Sequence, residues 1–211
     1  KKASDDAFKH HLIDLSALTY QSVPLNPSLV DMTKDLKKLI VVTESKAQWR
    51  HSSSGIYWIV DRNTLEAQPI YSIDEKPQKL YYAKLSPNGD YVYFNFKGNL
   101  FLKSIEKGKI TQVTQDGDDS LIFNGKSDWV YEEEVLATDK AIWWSPDGKQ
   151  FAYIRWDESN VPVYNLEFFK YDKYPSVDSL KYPKPGYPTP TVSLHVYNIE
   201  KSKLIKIKQP W

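Results

Sequence analysis

The chain has 211 residues, enough for one or two domains with a buried core. Its 28 Lys and Arg residues nearly balance 27 Asp and Glu residues, so the charge gives no support for a nucleic-acid or anionic-membrane partner. The absence of cysteine excludes disulfides, thiolate metal sites and a cysteine nucleophile within these residues. The 15 Tyr and 7 Trp residues favour strands over helices.

The sequence carries no targeting signal that we recognise. No apolar run approaches the roughly 20 residues that span a bilayer. No Asn-x-Ser/Thr sequon occurs, so we expect no N-glycan on this stretch. The first residues, KKASDDAFKHH, lack the apolar core of a signal peptide. Both ends are typical of a segment cut from a longer chain.

Residues 1–30 are weakly patterned, and a clear unit follows them. A polar turn at Thr33 leads into a predicted strand, Leu36–Thr43. A polar loop, Ala47–Gly55, precedes the next predicted strand, Ile56–Val60. An extended segment then completes the first unit.

A second and a third unit repeat this pattern around nearly identical turns. Ser86-Pro87-Asn88-Gly89 and Ser145-Pro146-Asp147-Gly148 both have the type I signature, with Pro at the second position and Gly at the fourth. The strands predicted around them are Leu80–Leu85, Tyr91–Phe96, Leu100–Ile105 and Ile110–Val113, then Ala141–Trp144, Phe151–Trp156, Val192–Ile199 and Leu204–Ile207.

The spacing of these turns predicts the fold class. Ser145 follows Ser86 by 59 residues, and Thr33 precedes Ser86 by 53. Four antiparallel strands repeated at about 50 residues are typical of propeller blades. We therefore predict an all-β chain forming part of a β-propeller, with about three four-stranded blades and a partial one. A closed propeller needs about 4–8 blades, so we expect further blades elsewhere in a longer protein.

The predicted organisation has five parts and two interruptions. It is a partial blade at 1–30, blades at 31–75, 76–114 and 141–211, and an insertion at 115–140. We expect a short helical segment in that insertion, which carries a run of three glutamates. The second interruption, Asn165–Pro190, is rich in Tyr and Pro, and proline withholds backbone donors from a sheet. We predict an extended arm or loop there.

The acidic motif, Asp128–Val135 (DWVYEEEV), invites several interpretations. Its carboxylates could be a solvated face at a helix N-terminus, where the helix dipole favours them. A Ca²⁺ or Mg²⁺ site would need more oxygens at defined intervals, and a glycosidase pair would come from separate segments. On a helical turn, two neighbouring carboxylates could instead converge on one ammonium group, which offers three donors and no acceptor.

The sequence gives no signal for a serine-hydrolase site within this chain. The Gly-x-Ser-x-Gly elbow of the α/β-hydrolases is absent. The run from His51 to Gly55 (HSSSG) places Ser beside His, but adjacency in sequence is not triad geometry, and we interpret it as a loop. Four histidines without metal-ligand spacing predict no zinc site, and no cofactor is implied.

The motifs together resemble a known family. DWVYEEEV, followed by WWSPDG, VP, YPKPG and PT, resembles the N-terminal propeller region of the dipeptidyl peptidase IV family, serine peptidases of the prolyl oligopeptidase clan. The resemblance runs from about Leu36 to Ile207, and WRHS at Trp49–Ser52 matches a second family motif. The wording LATDKAIWWSPDGKQFAYI is most similar to the fungal dipeptidyl aminopeptidases of that family.

The resemblance implies an activity and a set of site residues. Family members remove N-terminal dipeptides, preferring Pro or Ala at the second position. A propeller covers an α/β-hydrolase domain that carries the Ser-Asp-His triad, and that domain is absent from this chain. The resemblance makes Glu133 and Glu134 the residues that hold the substrate's free amine, and Arg50 the contact to the carbonyl of the first substrate residue. For Arg50 the alternative is a structural role, stacked on Trp49 or a nearby Tyr.

The resemblance also implies partners and a location. The arm near residues 165–188 would help to make a homodimer. Members are usually type II membrane glycoproteins, so we expect a lumenal or extracellular ectodomain of a single-pass protein, vacuolar or Golgi if fungal. The alternative function is a catalytically inactive relative that binds a protein partner as a channel-associated subunit.

Overall fold

The computed structural model describes residues 13–169, 171 and 173–208. Within this part of the chain nearly all regular structure is β, as predicted, and three antiparallel sheets dominate. A 3₁₀ turn at Leu15–Ala17 and a short hairpin of β1 (Thr19–Tyr20) and β2 (Val23–Pro24) precede them. The first twelve residues of the predicted partial blade, and the last three of the chain, lie outside the described residues.

The first sheet runs in the order β3-β4-β5-β6. Its strands are β3 (Ser28–Met32), β4 (Lys38–Ala47), β5 (Ser53–Asp61) and β6 (Ala67–Pro69). A small hairpin, β7 (Ser72–Ile73) with β8 (Lys76–Pro77), follows, and β9 (Lys79–Leu80) returns to pair with β5. The register of β4 with β5 shifts between Thr43 and Lys46, so a bulge lies just before the loop that joins the two strands.

The second sheet is a four-stranded meander. Its strands are β10 (Tyr82–Leu85), β11 (Tyr91–Phe96), β12 (Asn99–Ser104) and β13 (Ile110–Gln112), paired in chain order. On β11 and β12, runs of buried apolar and aromatic residues explain why both strands lie inside the stack of sheets.

The third sheet carries both interruptions predicted from the sequence. Its strands are β14 (Ile122–Asn124), β15 (Ile142–Trp144), β16 (Gln150–Asp157), β19 (Thr191–Asn198) and β20 (Lys203–Lys206), and β14 and β15 both pair with β16. The sequence analysis did not predict β14, which lies within the proposed insertion. The boundaries that the sequence assigns to each unit stay a prediction.

The second interruption is more regular than the predicted extended arm or loop. Val163–Phe168 (β17) and Ser176–Lys181 (β18) form an antiparallel hairpin, which we call the hairpin arm. The segment SVDSLK has no proline, so its backbone donors can pair with β17. The irregular backbone follows the arm, at residues 182–190, where the prolines cluster.

A tight turn of the same geometry connects two neighbouring strands in each sheet. The amide of Gly89 donates to the carbonyl of Ser86, and that of Gly148 donates to the carbonyl of Ser145, each at 2.9 Å. In the first sheet Leu36 donates to Thr33 at the same distance, with φ of 61° where the other turns have glycine. The weak sequence signal at Thr33 therefore marks the same structure as the two strong ones.

Apolar clusters join neighbouring sheets. One is shared by the first and second sheets, with Ile40, Tyr57 and Phe94 among its buried members. Another is shared by the second and third sheets and includes Tyr93 and Tyr153. Burial of side chains from two sheets in one cluster is how propeller blades pack, so these contacts agree with the predicted fold class.

Candidate functional site

The acidic motif forms a single turn of π-helix, from Tyr131 to Leu136. A helical segment was predicted here, and its wider i→i+5 turn was not; π-turns are rare and occur frequently at functional sites. The turn ends at Ala137, whose left-handed backbone (φ 52°, ψ 30°) stops the helix. Backbone pairing of residues 126–127 with 139–140 closes the base of the excursion.

Aromatic packing holds the π-helix on the third sheet. The Tyr131 ring lies 5.3 Å from the ring of buried Trp156, edge to face. Leu136 packs against the same cluster, which contains Phe123 and Ala141. At the root of the hairpin arm, Trp129 contacts Tyr182 with ring centroids 5.6 Å apart. The aromatic and apolar residues of the motif thus anchor it to the third sheet, and its carboxylates are not part of that packing.

The three consecutive glutamates have three different environments. Glu132 is fully buried. The Glu133 side chain is 8% exposed, and Glu134 is open to solvent. The interpretation of the whole run as a solvated acidic face is therefore wrong for Glu132 and fits only Glu134.

The loop between β4 and β5 approaches the motif from the first sheet. We call residues 48–52 the Arg50 loop. The amide of Gln48 donates to the Ser52 carbonyl at 2.9 Å, and that of Trp49 donates to Ser52 Oγ at 3.2 Å. Ser52 is buried and its hydroxyl shapes the turn. The loop predicted at Ala47–Gly55 is shorter in the structure, because β4 continues to Ala47 and Ser53–Gly55 already belong to β5.

Two glutamates of the motif hold the backbone of the Arg50 loop. Arg50 N–H donates to Glu133 Oε1 at 3.2 Å, and His51 N–H donates to Glu132 Oε1 at 3.0 Å. The Arg50 guanidinium also pairs with Glu133, with Nε 3.3 Å from Oε2. Residues more than 80 positions apart are therefore joined by charge-assisted hydrogen bonds, which are stronger than neutral ones.

The structure brings Arg50 and Glu133 together and leaves Glu134 beside them without a partner among residues 13–169, 171 and 173–208. The alternative role for Arg50, stacking on an aromatic ring, is not seen in this part of the chain, because its guanidinium faces Glu133 and is 74% exposed. Glu133 thus presents its carboxylate next to an exposed guanidinium, and the exposed Glu134 follows it in the chain, a combination suited to a zwitterionic ligand.

Sequence reasoning missed the charged residues beneath the motif. Lys126, Asp128, Asp139 and Glu158 are all buried there. Burial lowers the pKa of Lys126, and the charge on Glu132 opposes that shift. Asp128 could have been noticed as a capping residue, since its Oδ1 accepts from the amide of Tyr131. Glu158 gives no sequence signal, because only the fold brings it to Asp128.

Within the described residues, no group of His, Cys, Asp or Glu side chains could hold a metal ion. A search of the same residues finds no helix long and apolar enough to cross a membrane.

Comparison with known families decides the assignment. The model of the family described as "Dipeptidyl peptidase IV (DPP IV) N-terminal region" matches residues 33–211. The chain belongs to the dipeptidyl peptidase IV family. The resemblance predicted from DWVYEEEV and WRHS is thereby confirmed.

Two curated fungal proteins, each called a probable dipeptidyl-aminopeptidase B, are similar to this member of the dipeptidyl peptidase IV family. The protein from Phaeosphaeria nodorum is 39% identical over 198 residues, covering 89% of this chain and 22% of its own length. The protein from Talaromyces marneffei is 38% identical over 207 residues, covering 93% of this chain and 23% of its own. The chain therefore spans about a fifth of the length of these relatives.

A solved structure supports the same assignment. The crystal structure of Porphyromonas gingivalis dipeptidyl peptidase 4 is 31% identical, with a TM-score of 0.77. The match covers 86% of this chain and 25% of that one. The agreement in both sequence and backbone extends the family assignment to the sheets described above.

Proposed function

We propose that the chain is the substrate-gating propeller part of a serine exopeptidase that releases X-Pro and X-Ala dipeptides from peptide N-termini. Membership in the dipeptidyl peptidase IV family and the peptidase names of the fungal relatives support this proposal. The observation that carries it is the placement of Arg50 against Glu133, with exposed Glu134 beside them. The peptide bond would be cut by a C-terminal α/β-hydrolase domain of the same protein, since these residues supply no triad.

In this proposal, Glu133 and Glu134 bind the protonated α-amine of the substrate. Most peptide amines are protonated at pH 7, given an ordinary pKa of about 7.7–8.0. Glu133 Oε1 already accepts from the Arg50 amide and Oε2 is paired with the Arg50 guanidinium, but each carboxylate oxygen can accept more than one hydrogen bond. A fixed pair of carboxylates at a set distance from the nucleophile would measure two residues, and so would select a free N-terminus.

Arg50 would contact the carbonyl of the first substrate residue. Its ion pair with Glu133 is made through Nε, and the Nη1 and Nη2 donors would be available to a substrate oxygen. Because Glu133 orients the guanidinium, the amine and carbonyl contacts are coupled through one side chain. We expect substitution of Arg50 to weaken transition-state binding less than loss of either carboxylate.

The hairpin arm is the proposed homodimer contact. Its tip exposes Phe169, Tyr171 and Tyr174, and Tyr171 is fully exposed. An exposed cluster of aromatic side chains on a two-stranded hairpin favours a protein partner, since such a hairpin is marginally stable alone.

For the cellular location we keep the expectation from the sequence, a lumenal or extracellular ectodomain of a single-pass type II membrane glycoprotein, vacuolar or Golgi in a fungus. Recovery of the native protein free in the cytosol would contradict it. None of the comparisons above favours the alternative of an inactive, channel-associated subunit.

Substitution of the two glutamates in the full-length protein tests the proposal. Glu133→Gln and Glu134→Gln remove charge with little change of shape. Loss of one partner from a desolvated charge pair costs about 2–5 kcal/mol, so kcat/KM for a free-amine dipeptide reporter should fall about 30-fold or more. Glu200→Gln is the matched control, since Glu200 is an exposed glutamate in the turn between β19 and β20 that pairs with Lys149. Unchanged kinetics in both motif variants would contradict the amine-binding role.

A further inference from the structure

Two buried carboxyl groups lie directly beneath the acidic motif. Asp128 begins the motif and is 2% exposed, and Glu158 follows β16 and is 4% exposed. One oxygen of each, Asp128 Oδ2 and Glu158 Oε1, has no hydrogen-bond donor within the described part of the chain. A buried carboxylate oxygen without a hydrogen-bond donor is energetically costly. Since none of the described N–H or O–H groups donates to these two oxygens, a proton on one of the carboxyl groups themselves would supply the donor.

The two carboxyl groups supply that donor for each other. Both side chains line the same cavity, and each carboxyl group interacts with the other there. Such a contact is favourable only when one group is protonated, because two carboxylates offer acceptors and no donor. Burial raises the pKa of Asp128 to about 6. Burial, reinforced by the charge on Asp128, raises the pKa of Glu158 to about 8. The raised pKa values therefore keep a proton on the pair at neutral pH, shared between the two carboxyl groups.

Other charged groups face this pair from several elements. The positive charge of Lys126 opposes the rise in pKa of both carboxyl groups, and the charge of Lys181 in β18 opposes that of Glu158. Lys181 Nζ also donates to the Val161 carbonyl at 2.8 Å. Both lysines line a cavity of about 400 Å³ together with the pair and Asp119. The carboxylates that interact with Lys126 are Glu132, Asp139, Asp119 and Glu158. With this many acidic groups near two lysines, a proton kept on the pair reduces the buried negative charge.

The pair links the helix that carries Glu133 to the third sheet. Asp128 Oδ1 accepts from the amide of Tyr131 at 2.7 Å, and its carbonyl accepts from the amide of Glu132 at 3.0 Å. Glu158 is held at the end of β16 by its own amide, which donates to the Leu121 carbonyl at 2.8 Å. A hydrogen bond between the two side chains would therefore join the first turn of the π-helix to the sheet.

We propose that Asp128 and Glu158 are positioning residues that share one proton, and that this bond fixes the π-helix so that Glu133 and Glu134 can receive the substrate amine. Loss of the proton leaves two facing carboxylates, which repel, so the helix loosens and the amine is bound less tightly. The inference rests on the function proposed above and deepens it. Neither residue touches the substrate.

The direction of the pH effect follows from the raised pKa values. Both exceed the ordinary values of 3.8 and 4.5, so the folded protein holds a proton that the unfolded chain has released. The pair's contribution to stability is complete below those ordinary values. It is lost as the pH rises through about 8, the pKa of Glu158.

The test uses the full-length protein with Glu158→Gln, which keeps a donor to Asp128 but cannot ionise, and Glu158→Ala, which removes the bond. Glu200→Gln is the control. For a free-amine Ala-Pro reporter, KM of Glu158→Ala should rise about 10- to 100-fold with kcat less affected, as expected for a misplaced binding group. The ratio of kcat/KM in Glu158→Gln to that in wild type should increase from pH 6 to pH 9. Titration of the substrate amine cancels in this ratio.

Two outcomes would overturn the inference. One is a ratio that stays flat from pH 6 to pH 9, and the other is a KM in Glu158→Ala equal to that of wild type. If Glu158→Ala does not fold, the pH ratio of Glu158→Gln still decides. A melting temperature that falls with pH more steeply in wild type than in Glu158→Gln supports the shared proton independently of activity. Failure of the function proposed above would give a different result. Glu134→Gln would then keep full activity, while the melting temperature of wild type would still fall with pH more steeply than that of Glu158→Gln.

Discussion

Three neighbouring glutamates with one charge each have separate roles because their side chains point to different surroundings. Glu132 is buried and accepts a hydrogen bond from the amide of His51. Glu133 is nearly buried and pairs with Arg50, and Glu134 is exposed to solvent. Three like charges in sequence would repel if they converged, and the π-turn separates them. This leaves Glu133 and Glu134, and not Glu132, as the carboxylates that could act on a ligand.

Glu132 should therefore behave as a structural residue. Glu132→Ala leaves the His51 amide without its acceptor and removes a carboxylate that faces buried Lys126. We expect a loss of about 2–4 kcal/mol in unfolding free energy, measured by thermal or urea unfolding of the full-length protein.

The matched control is Glu44→Ala, since Glu44 is an exposed glutamate on β4 that pairs with Lys79. Its change should stay within about 0.5 kcal/mol. Glu132→Gln should lie between the two variants, because the amide oxygen can still accept from His51. Equal stability of Glu132→Ala and Glu44→Ala would show that the buried contact has no structural weight.

Individual elements differ in how far their sequence determines them. The Ser-Pro-x-Gly turns were predictable, because Pro and Gly are the residues those backbone angles require. The turn at Thr33 has the same geometry with Leu36 at φ 61°, a conformation that sequence propensity disfavours and tertiary packing imposes. The π-turn was likewise beyond prediction, because its residues are compatible with an α-turn and only the contacts of Tyr131 and Glu132 select the wider one.

The hairpin arm is the element whose role is tested most simply. If it makes the homodimer, the double substitution Tyr171→Lys with Tyr174→Lys should convert the full-length protein to monomers, because it places charge in an apolar contact. Sedimentation or light scattering would measure the mass. Val23→Lys, which alters an exposed residue of β2 outside the arm, should leave the dimer intact. A wild-type monomer, or a double variant that remains dimeric, would contradict the dimer role.

Across the chain, the repeated strands could be predicted from the sequence, because each blade places alternating or continuous apolar residues between tight turns. The site was readable only in part. The pairing of Arg50 with Glu133 joins segments that are remote in sequence, and the family resemblance alone pointed to both. Asp128 and Glu158 could not have been paired in advance, since nothing in the sequence says that β16 ends beneath the acidic motif.

The sheets explain how such remote residues meet. The Arg50 loop leaves the first sheet, and the π-helix leaves the third, so the site forms between elements that the stacked sheets hold in place. A site built in this way combines the carboxylates of Glu133 and Glu134 from the third sheet with the guanidinium of Arg50 from the first, which no single blade contains. In the function proposed above, selection for a free N-terminus would depend on this arrangement of blades.

The most direct test compares two reporters on the full-length protein, Ala-Pro linked to a chromophore with its amine free, and the same compound acetylated. Our account predicts release from the free-amine form only, because acetylation removes the charge that Glu133 and Glu134 would bind. Release from both forms would contradict amine selection, and release from neither would contradict the peptidase function itself.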